Sequence, residues 1–296
     1  MKKRFIVYML AVFLGFTVIF SGSLLAENNF LWELSGPEGE FYLMGSFHYM
    51  PENSYPLDDV IYNSLEESDV MAVEVDITEV DQMELQQFVM EEAFLGEGRE
   101  LQNKISKDIY EEIIDIAGRH GIPEEDMNNF APWYASQIIA DFALQEIGME
   151  VVEGVDIHML ERAREKDIEV VELETMMDQL KLLSEMDLDI QRAVVRDTIE
   201  ELEYDLSRIE GAVAGWKEGE VEPIHEFLFE RRDKSPEMEE YYTKLFDERE
   251  VKMRDKILSL LEENKKPFVV VGSGHVVNDV GLLYLFEELG YEIEQL

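Results

Sequence analysis

Two histidines in this chain sit in the same local setting. In "FYLMGSFHYM", residues 41–50, an apolar run reaches Gly45-Ser46 and, one residue on, His48. In "PFVVVGSGHVV", residues 267–277, an apolar run reaches Gly272-Ser273 and, one residue on, His275. A single Gly-x-x-His reads most simply as a turn whose imidazole finds a hydrogen-bond partner at a strand end. Two copies in matched contexts, using two of the five histidines, point instead to one shared site. A pair of neutral imidazoles needs an anionic third donor to make a typical catalytic metal site. Glu74 in "AVEVD" is the candidate, because a carboxylate inside a buried strand is costly without a cation. Asp76, two residues on along the same strand face, is the alternative. The remaining histidines read as ordinary: His120 at a helix end, His158 in a first helical turn and His225 on an amphipathic helix.

One arginine also stands out. The segment 238–261 carries an apolar stripe through Met238, Tyr242, Leu245, Met253 and Ile257, and Arg249 falls on it. A guanidinium on that face either snorkels to the surface or turns inward to carboxylates or a developing charge. Glu172 and Glu174 in "VVELET" are its expected partners.

The elements that must position these groups read as α/β. Residues 30–45 form a hairpin around "SGPEG". Pro56 opens a helix, and 70–77 is a strand. The C-terminal end repeats the order: strand, Gly-Ser-Gly-His, a helix capped by Asn278, and a last strand at 291–296. Crossover helices favour parallel strands, whose carboxyl ends gather ligands. Between the two ends the chain is mostly helical, over 81–95, 106–119, 130–147 and 176–263, with breaks near Gly211–Gly219 and at Pro236. One more unit interrupts it: a short strand before Gly154, a helix capped by Asp156, and a strand at 168–173. The expectation is one mixed α/β domain, its central sheet built from the two similar ends and its middle a helical cap.

Composition narrows the chemistry. There is no cysteine, so disulfides, thiolate metal sites and thiol nucleophiles are excluded. The net charge of −42, from 67 acidic against 25 basic side chains, argues against a nucleic-acid partner. Lys2-Lys3-Arg4, an apolar run from Phe5 to Phe20 and "SGSLLAENN" make a secretory leader at 1–26, with the domain at 27–296. Cleavage after Ala26 or Ser23, or retention as a membrane anchor, all leave the domain outside the cytoplasm.

The stretches "LWEL", "FYLMGSFHYM", "DVMAVEVD", "GVDIHML", "VVELET…QL", "DERE" and "FVVVGSGHVVNDVGLLYLFEELGYEIEQL" together resemble the TraB/GumN family. That family includes the Tiki-type membrane-associated metalloproteases and is related in fold to erythromycin-esterase-like and haem-uptake ChaN-like proteins. The resemblance runs from Leu31 to Leu296 and implies a metal-dependent hydrolytic site built from His48, His275 and Glu74. The family has Arg-Asn where this chain has Arg249-Glu250, so the asparagine's role is absent or replaced. Residues and resemblance converge on an exported hydrolase acting on peptides. Mn²⁺, Co²⁺ or Zn²⁺ suits the donor set, Glu174 or Asp76 would orient water, and Arg249 would face the oxyanion. The alternatives are a binding protein that captures haem, metal or a signalling peptide, and an anchored interaction protein whose motifs are remnants.

Overall fold

The computed structural model describes residues 28–296 except Tyr49, 52–53, Glu97, 147–153 and 203–206. The leader at 1–26 and the short strand expected before Gly154 lie outside the described residues. Six strands, β1 (Leu31–Gly36), β2 (Gly39–Ser46), β3 (Val70–Val73), β4 (Glu169–Glu172), β5 (Pro267–Gly272) and β6 (Glu292–Gln295), form one sheet ordered β4-β3-β5-β2-β1-β6. The β1–β2 hairpin is antiparallel, as is β1–β6. The pairs β2–β5, β5–β3 and β3–β4 are parallel. Only β1 therefore opposes the rest.

Helices fill the connections. After β2 comes α1 (Asp59–Glu66), and between β3 and β4 lie α2 (Gln82–Phe88), α3 (Lys107–Arg119), α4 (Glu124–Met127), α5 (Pro132–Glu146) and α6 (Val155–Glu165). Between β4 and β5 run α7 (Met176–Ser184), α8 (Leu188–Leu202), α9 (Ser207–Lys217), α10 (Glu222–Phe229), α11 (Pro236–Tyr242) and α12 (Glu248–Glu262). Two short helices, α13 (Ser273–Val277) and α14 (Leu282–Glu288), lead to β6. The inner strands are buried on both faces: Val70 to Val73 and Phe268 to Val271 are all at most 1% exposed, as a parallel sheet covered by helices requires. Met159 of α6, Ile257 of α12 and Phe286 of α14 complete that core. The helical middle has its own, where Ile109 and Ile113 of α3 meet Ile139 of α5 and Val195 of α8.

The two similar ends do meet in one sheet. In the β2–β5 ladder Gly45 pairs with Val271 and Ser46 with Gly272. The Ser46 hydroxyl donates to the Val271 carbonyl (3.2 Å) and the Ser273 hydroxyl to the Ser46 carbonyl (2.9 Å). The crossover through α1 does not join sheet neighbours, however, because β5 inserts between β2 and β3.

Several local expectations shift. Helix α1 begins at Asp59, because the Leu57 N–H is taken by the Tyr62 hydroxyl (2.9 Å) and Asp58 supplies the cap, accepting from the Val60 N–H (2.9 Å). Gly211 lies within α9, and the break falls at Gly219, whose φ of 70° suits a helix stop. Gly45-Ser46 is not a turn, since β2 runs through Ser46.

Gly45 is required by close approach. A Cβ there would lie 2.4 Å and 2.6 Å from ring atoms of Phe30. Phe30 cannot retreat, being 1% exposed and packed edge-on against Trp32 and at a tilt against Trp216, whose indole N–H donates to the Gly45 carbonyl (2.7 Å). Gly45→Ala is expected to destabilise the domain by about 1–3 kcal/mol through overpacking, read as a lower urea midpoint at unchanged slope. An unchanged midpoint would show that the Phe30 ring yields.

Candidate functional site

The site lies at the carboxyl ends of the parallel strands. Glu74 is not within a strand as expected but is the first residue past β3. Its N–H still donates to the Val270 carbonyl (3.1 Å), and its carbonyl accepts from the Glu174 N–H (2.9 Å). The strand ends there because the chain then bends. The Glu172 carboxylate takes the Asp76 N–H (2.9 Å), and the Asp76 carboxylate takes the Thr78 hydroxyl (2.7 Å) and Arg164 (2.6 Å). Asp76 and Glu172 are thus spent on this bend rather than on the site.

Arg249 reaches the same point from α12 and is 6% exposed. Its Nε donates to both oxygens of Glu174 (3.2 and 2.9 Å), its Nη2 to Glu174 Oε2 (2.7 Å) and to Glu74 Oε1, and its Nη1 to the Leu245 carbonyl (2.7 Å). The inward reading of the apolar stripe holds, with Glu174 rather than Glu172 as partner. Gln179 adds a donor to Glu74 Oε1 (2.7 Å), and the Gly272 N–H donates to Glu74 Oε2 (2.9 Å). Burial alone would raise the Glu74 carboxyl. The charges of His275, Arg249 and His48 and the Gly272 N–H outweigh it and hold that carboxyl well below its ordinary range. Three donors leave Glu74 Oε2 with a lone pair to spare.

Each imidazole has a carboxyl group behind its Nδ1. His48 Nδ1 is 2.8 Å from Asp156 Oδ2. Asp156 does not cap α6; Gly154 holds the N-cap position, and the Asp156 side chain turns from the first turn to His48. Desolvation opposes charge on His48, but Asp156, through charge and hydrogen bond, and Glu74 overcome it and raise the imidazole to about 9. The His48 side chain is 55% exposed, so solvent moderates that pull. His275 is 1% exposed. Its Nδ1 lies 3.6 Å from Glu250 Oε1, an ion-pair contact too long for a hydrogen bond, and its Nε2 lies 3.8 Å from Glu74 Oε1. Glu250 is wholly buried, and desolvation raises its carboxyl despite His275 and Asn278. Asn278 does not cap the start of α14, where Gly281 stands; it is the C-terminal cap of α13, and its amide donates to Glu250 (2.9 and 3.1 Å) and Asp247 (2.9 Å).

His48, Glu74, Arg249 and His275 line one cavity of about 510 Å³; Glu174 supports it from behind Arg249. His120, His158 and His225 stand elsewhere: His120 stacks on Phe142, His158 on Tyr55 while meeting the Tyr62 hydroxyl (2.8 Å), and His225 lies 3.5 Å from Asp279. Among the described residues, no group of three or more His, Asp or Glu side chains stands close enough to hold a metal ion. The donor types present, imidazole nitrogen and carboxylate oxygen, are those a divalent cation takes. Four carboxyl groups, Glu74, Asp156, Glu174 and Glu250, surround one guanidinium and two imidazoles. Asp156, Gln179, Glu250 and Asn278 escaped the sequence reading as site residues, although Asp156 and Gln179 lie in "GVDIHML" and "VVELET…QL".

Fold and site together define an α/β protein with paired Gly-x-x-His strand ends and a buried Arg–Glu cluster. The chain belongs to the TraB/PrgY/gumN family, whose sequence pattern matches residues 30–295. It is similar to the uncharacterized protein YbaP of Escherichia coli K12, at 24% identity over 59% of this chain and 64% of that protein. It is also similar to YbaP of Shigella flexneri, at 23% identity over 53% of this chain and 56% of that protein. The match thus spans less than two thirds of either relative's length. No solved structure matches the chain.

Glu250 gives a test of the site's electrostatics. Its folded carboxyl is raised from 4.5, so its ionisation costs stability, fully above the raised value and not at all below about 4.5. In chelator-treated protein Glu250→Gln, which keeps an acceptor for Asn278, is expected to melt above wild type at pH 7–8. The gap should close as pH falls towards 4.5. A variant that melts lower than wild type at pH 8 would show that the Glu250 charge stabilises the fold.

Proposed function

We propose that this protein is an exported, metal-dependent hydrolase acting on peptides outside the cytoplasm, either secreted or anchored by its N-terminal segment. One observation carries the reading: the two Gly-Ser-x-His strand ends and Glu74 share one cavity, with a carboxyl group facing the Nδ1 side of each imidazole. A carboxylate behind a histidine fixes ring and tautomer and leaves Nε2 for ligation. His48, His275 and Glu74 would hold Mn²⁺, Co²⁺ or Zn²⁺, which when bound supplies Lewis acidity towards water and a scissile carbonyl.

The chain's own groups then divide the work. Glu74 is the anionic donor, kept ionised by Arg249, Gln179 and the Gly272 N–H. Glu174 holds Arg249 in place and balances its charge, and so acts through Arg249 rather than on water. Arg249 spends most of its N–H groups on the two glutamates and Leu245, so its contribution to an oxyanion rests on the remaining N–H of Nη1. Apolar residues line the opposite wall. The second reading is capture of haem, metal or a signalling peptide without turnover. The half-exposed ring of His48 and the bonds already on Glu74 favour it, and stoichiometric binding without cleavage would decide for it.

Two experiments test the proposal. His48→Ala and His275→Ala should each remove most bound metal by elemental analysis, the double variant being little worse than either single one, as for residues acting as a unit. Glu74→Gln should also weaken metal and abolish cleavage of a fluorogenic peptide library, while His120→Ala and His225→Ala keep both. Full metal content in both single histidine variants would refute the shared site. Separately, the domain expressed with its leader should be digested by protease added to intact cells or spheroplasts. Protection there, with digestion after lysis, would refute export.

A further inference from the structure

The cavity has two chemically different ends. Its floor holds His48, Glu74, Arg249 and His275, whereas the wall contributed by the helical cap is apolar. Leu182 and Leu183 come from α7, Ile209 and Val213 from α9, and Phe227 and Leu228 from α10. The turn before α12 adds Phe246, whose ring lies 5.1 Å from that of His275 at 54°. The apolar wall therefore meets the polar floor at an imidazole. The Phe227 ring is backed by the Arg208 guanidinium, 6.0 Å from its centroid. In a chain with 67 acidic side chains, the Asp, Glu, Lys and Arg residues lining the cavity are Glu74 and Arg249, and those two bond each other.

That wall discriminates by desolvation. A charged group pressed against it would lose water and find no partner, whereas an apolar group would release water from both surfaces. The cavity's 510 Å³ lies within the roughly 300–1,000 Å³ typical of pockets that enclose a small ligand. Gln137 and Gln179 interrupt the wall with neutral amides. The Gln179 N–H is already held by Glu74, but a peptide backbone can pair with the Gln137 amide, which a lipid acyl chain would cover without a partner at a cost.

We propose that the cap wall is a specificity pocket that takes one bulky apolar or aromatic side chain of a peptide, beside the bond presented to His48, Glu74 and His275. The position of that bond rests on the hydrolytic reading above; the recognition of the side chain does not.

The test separates the two. Glu74→Gln protein is titrated calorimetrically with end-capped tripeptides bearing Phe, Leu, Ala, Asp or Lys at the centre, and wild type supplied with Mn²⁺, Co²⁺ or Zn²⁺ is assayed for cleavage of the same peptides. Phe and Leu peptides are expected to bind roughly 10–200-fold more tightly than Ala, by the usual reach of an apolar pocket, with Asp and Lys weaker still. Leu228→Asp should reverse the order in favour of Lys. Leu182→Asp, on a different helix, should do the same, so that one misfolded variant does not decide the matter; thermal melts monitor folding. Apolar-selective binding without cleavage under any of the metals supports the pocket and refutes the hydrolytic reading. Cleavage indifferent to the central side chain overturns the pocket and leaves hydrolysis standing. Binding of a dodecanoyl amide but of none of the peptides overturns it in favour of a lipid, and binding of no probe overturns it outright.

Discussion

The buried ion cluster of Arg249 with Glu174 and Glu74 is the constraint on which this structure turns. Three charged groups withdrawn from water cost several kcal/mol each before their attraction is counted, and such clusters hold only when nearly every lone pair and N–H is met. Here they are met from five elements. The α12 helix brings the guanidinium, the ends of β3 and β4 bring the carboxylates, β5 brings the Gly272 N–H, and α7 brings Gln179. Because no member can move without stranding another, the cluster fixes how the cap's last helix docks on the sheet. The bond from Arg249 to the Leu245 carbonyl extends that control to the π-helical turn at Thr243–Asp247. Single π turns concentrate at functional sites, and this one sets Phe246 against His275.

The carboxyl groups behind the imidazoles impose a second, opposing demand. Asp156 is buried but pairs with the half-exposed His48, which solvent reaches. Glu250 is wholly enclosed and is answered among the described residues by Asn278 and, at longer range, His275. A fold selected for stability alone would place an uncharged residue there. Retaining the acid is understandable if a cation near His275 repays the cost.

How much of this was legible in the sequence follows from the range of the forces involved. The strands, the hairpin, the repeated end units and the place of Arg249 on an apolar stripe were readable, because hydrophobic periodicity and turn chemistry are local, whereas the choice between snorkelling and turning inward was not. The convergence of His48, Glu74 and His275 was readable only because two matched motifs pointed at a common partner. What was misplaced was a matter of side chains choosing between local and distant bonds. Asp156 and Asn278 stand beside helices where a cap is the cheap local use of a short polar side chain. Both instead reach across the fold, Asp156 to a residue 108 positions away and Asn278 to one 28 positions away. Glu172 and Glu174 alternate along the same strand end, and only the bend at Asp76 decides which of them is left for Arg249.

That dependence on distant partners also explains why the site is an all-or-none feature of the fold. β5 is nearly the last strand in the chain, yet it enters the middle of the sheet, between β2 and β3. It gives Glu74 a backbone partner through Val270 and a side-chain partner through Gly272, and it carries His275 at its end. The bonds that seat the site join residues 175 positions apart for Arg249 and Glu74 and 225 apart for Ser46 and Val271. Ordering such separations costs chain entropy that local contacts do not repay, so β2, β3 and β4 without β5 would leave Glu74 exposed and His48 without its counterpart. Sheet closure and site assembly are therefore the same event. A chain with a net formal charge of −42 thus encloses an ion cluster of Arg249, Glu74 and Glu174 at that seam.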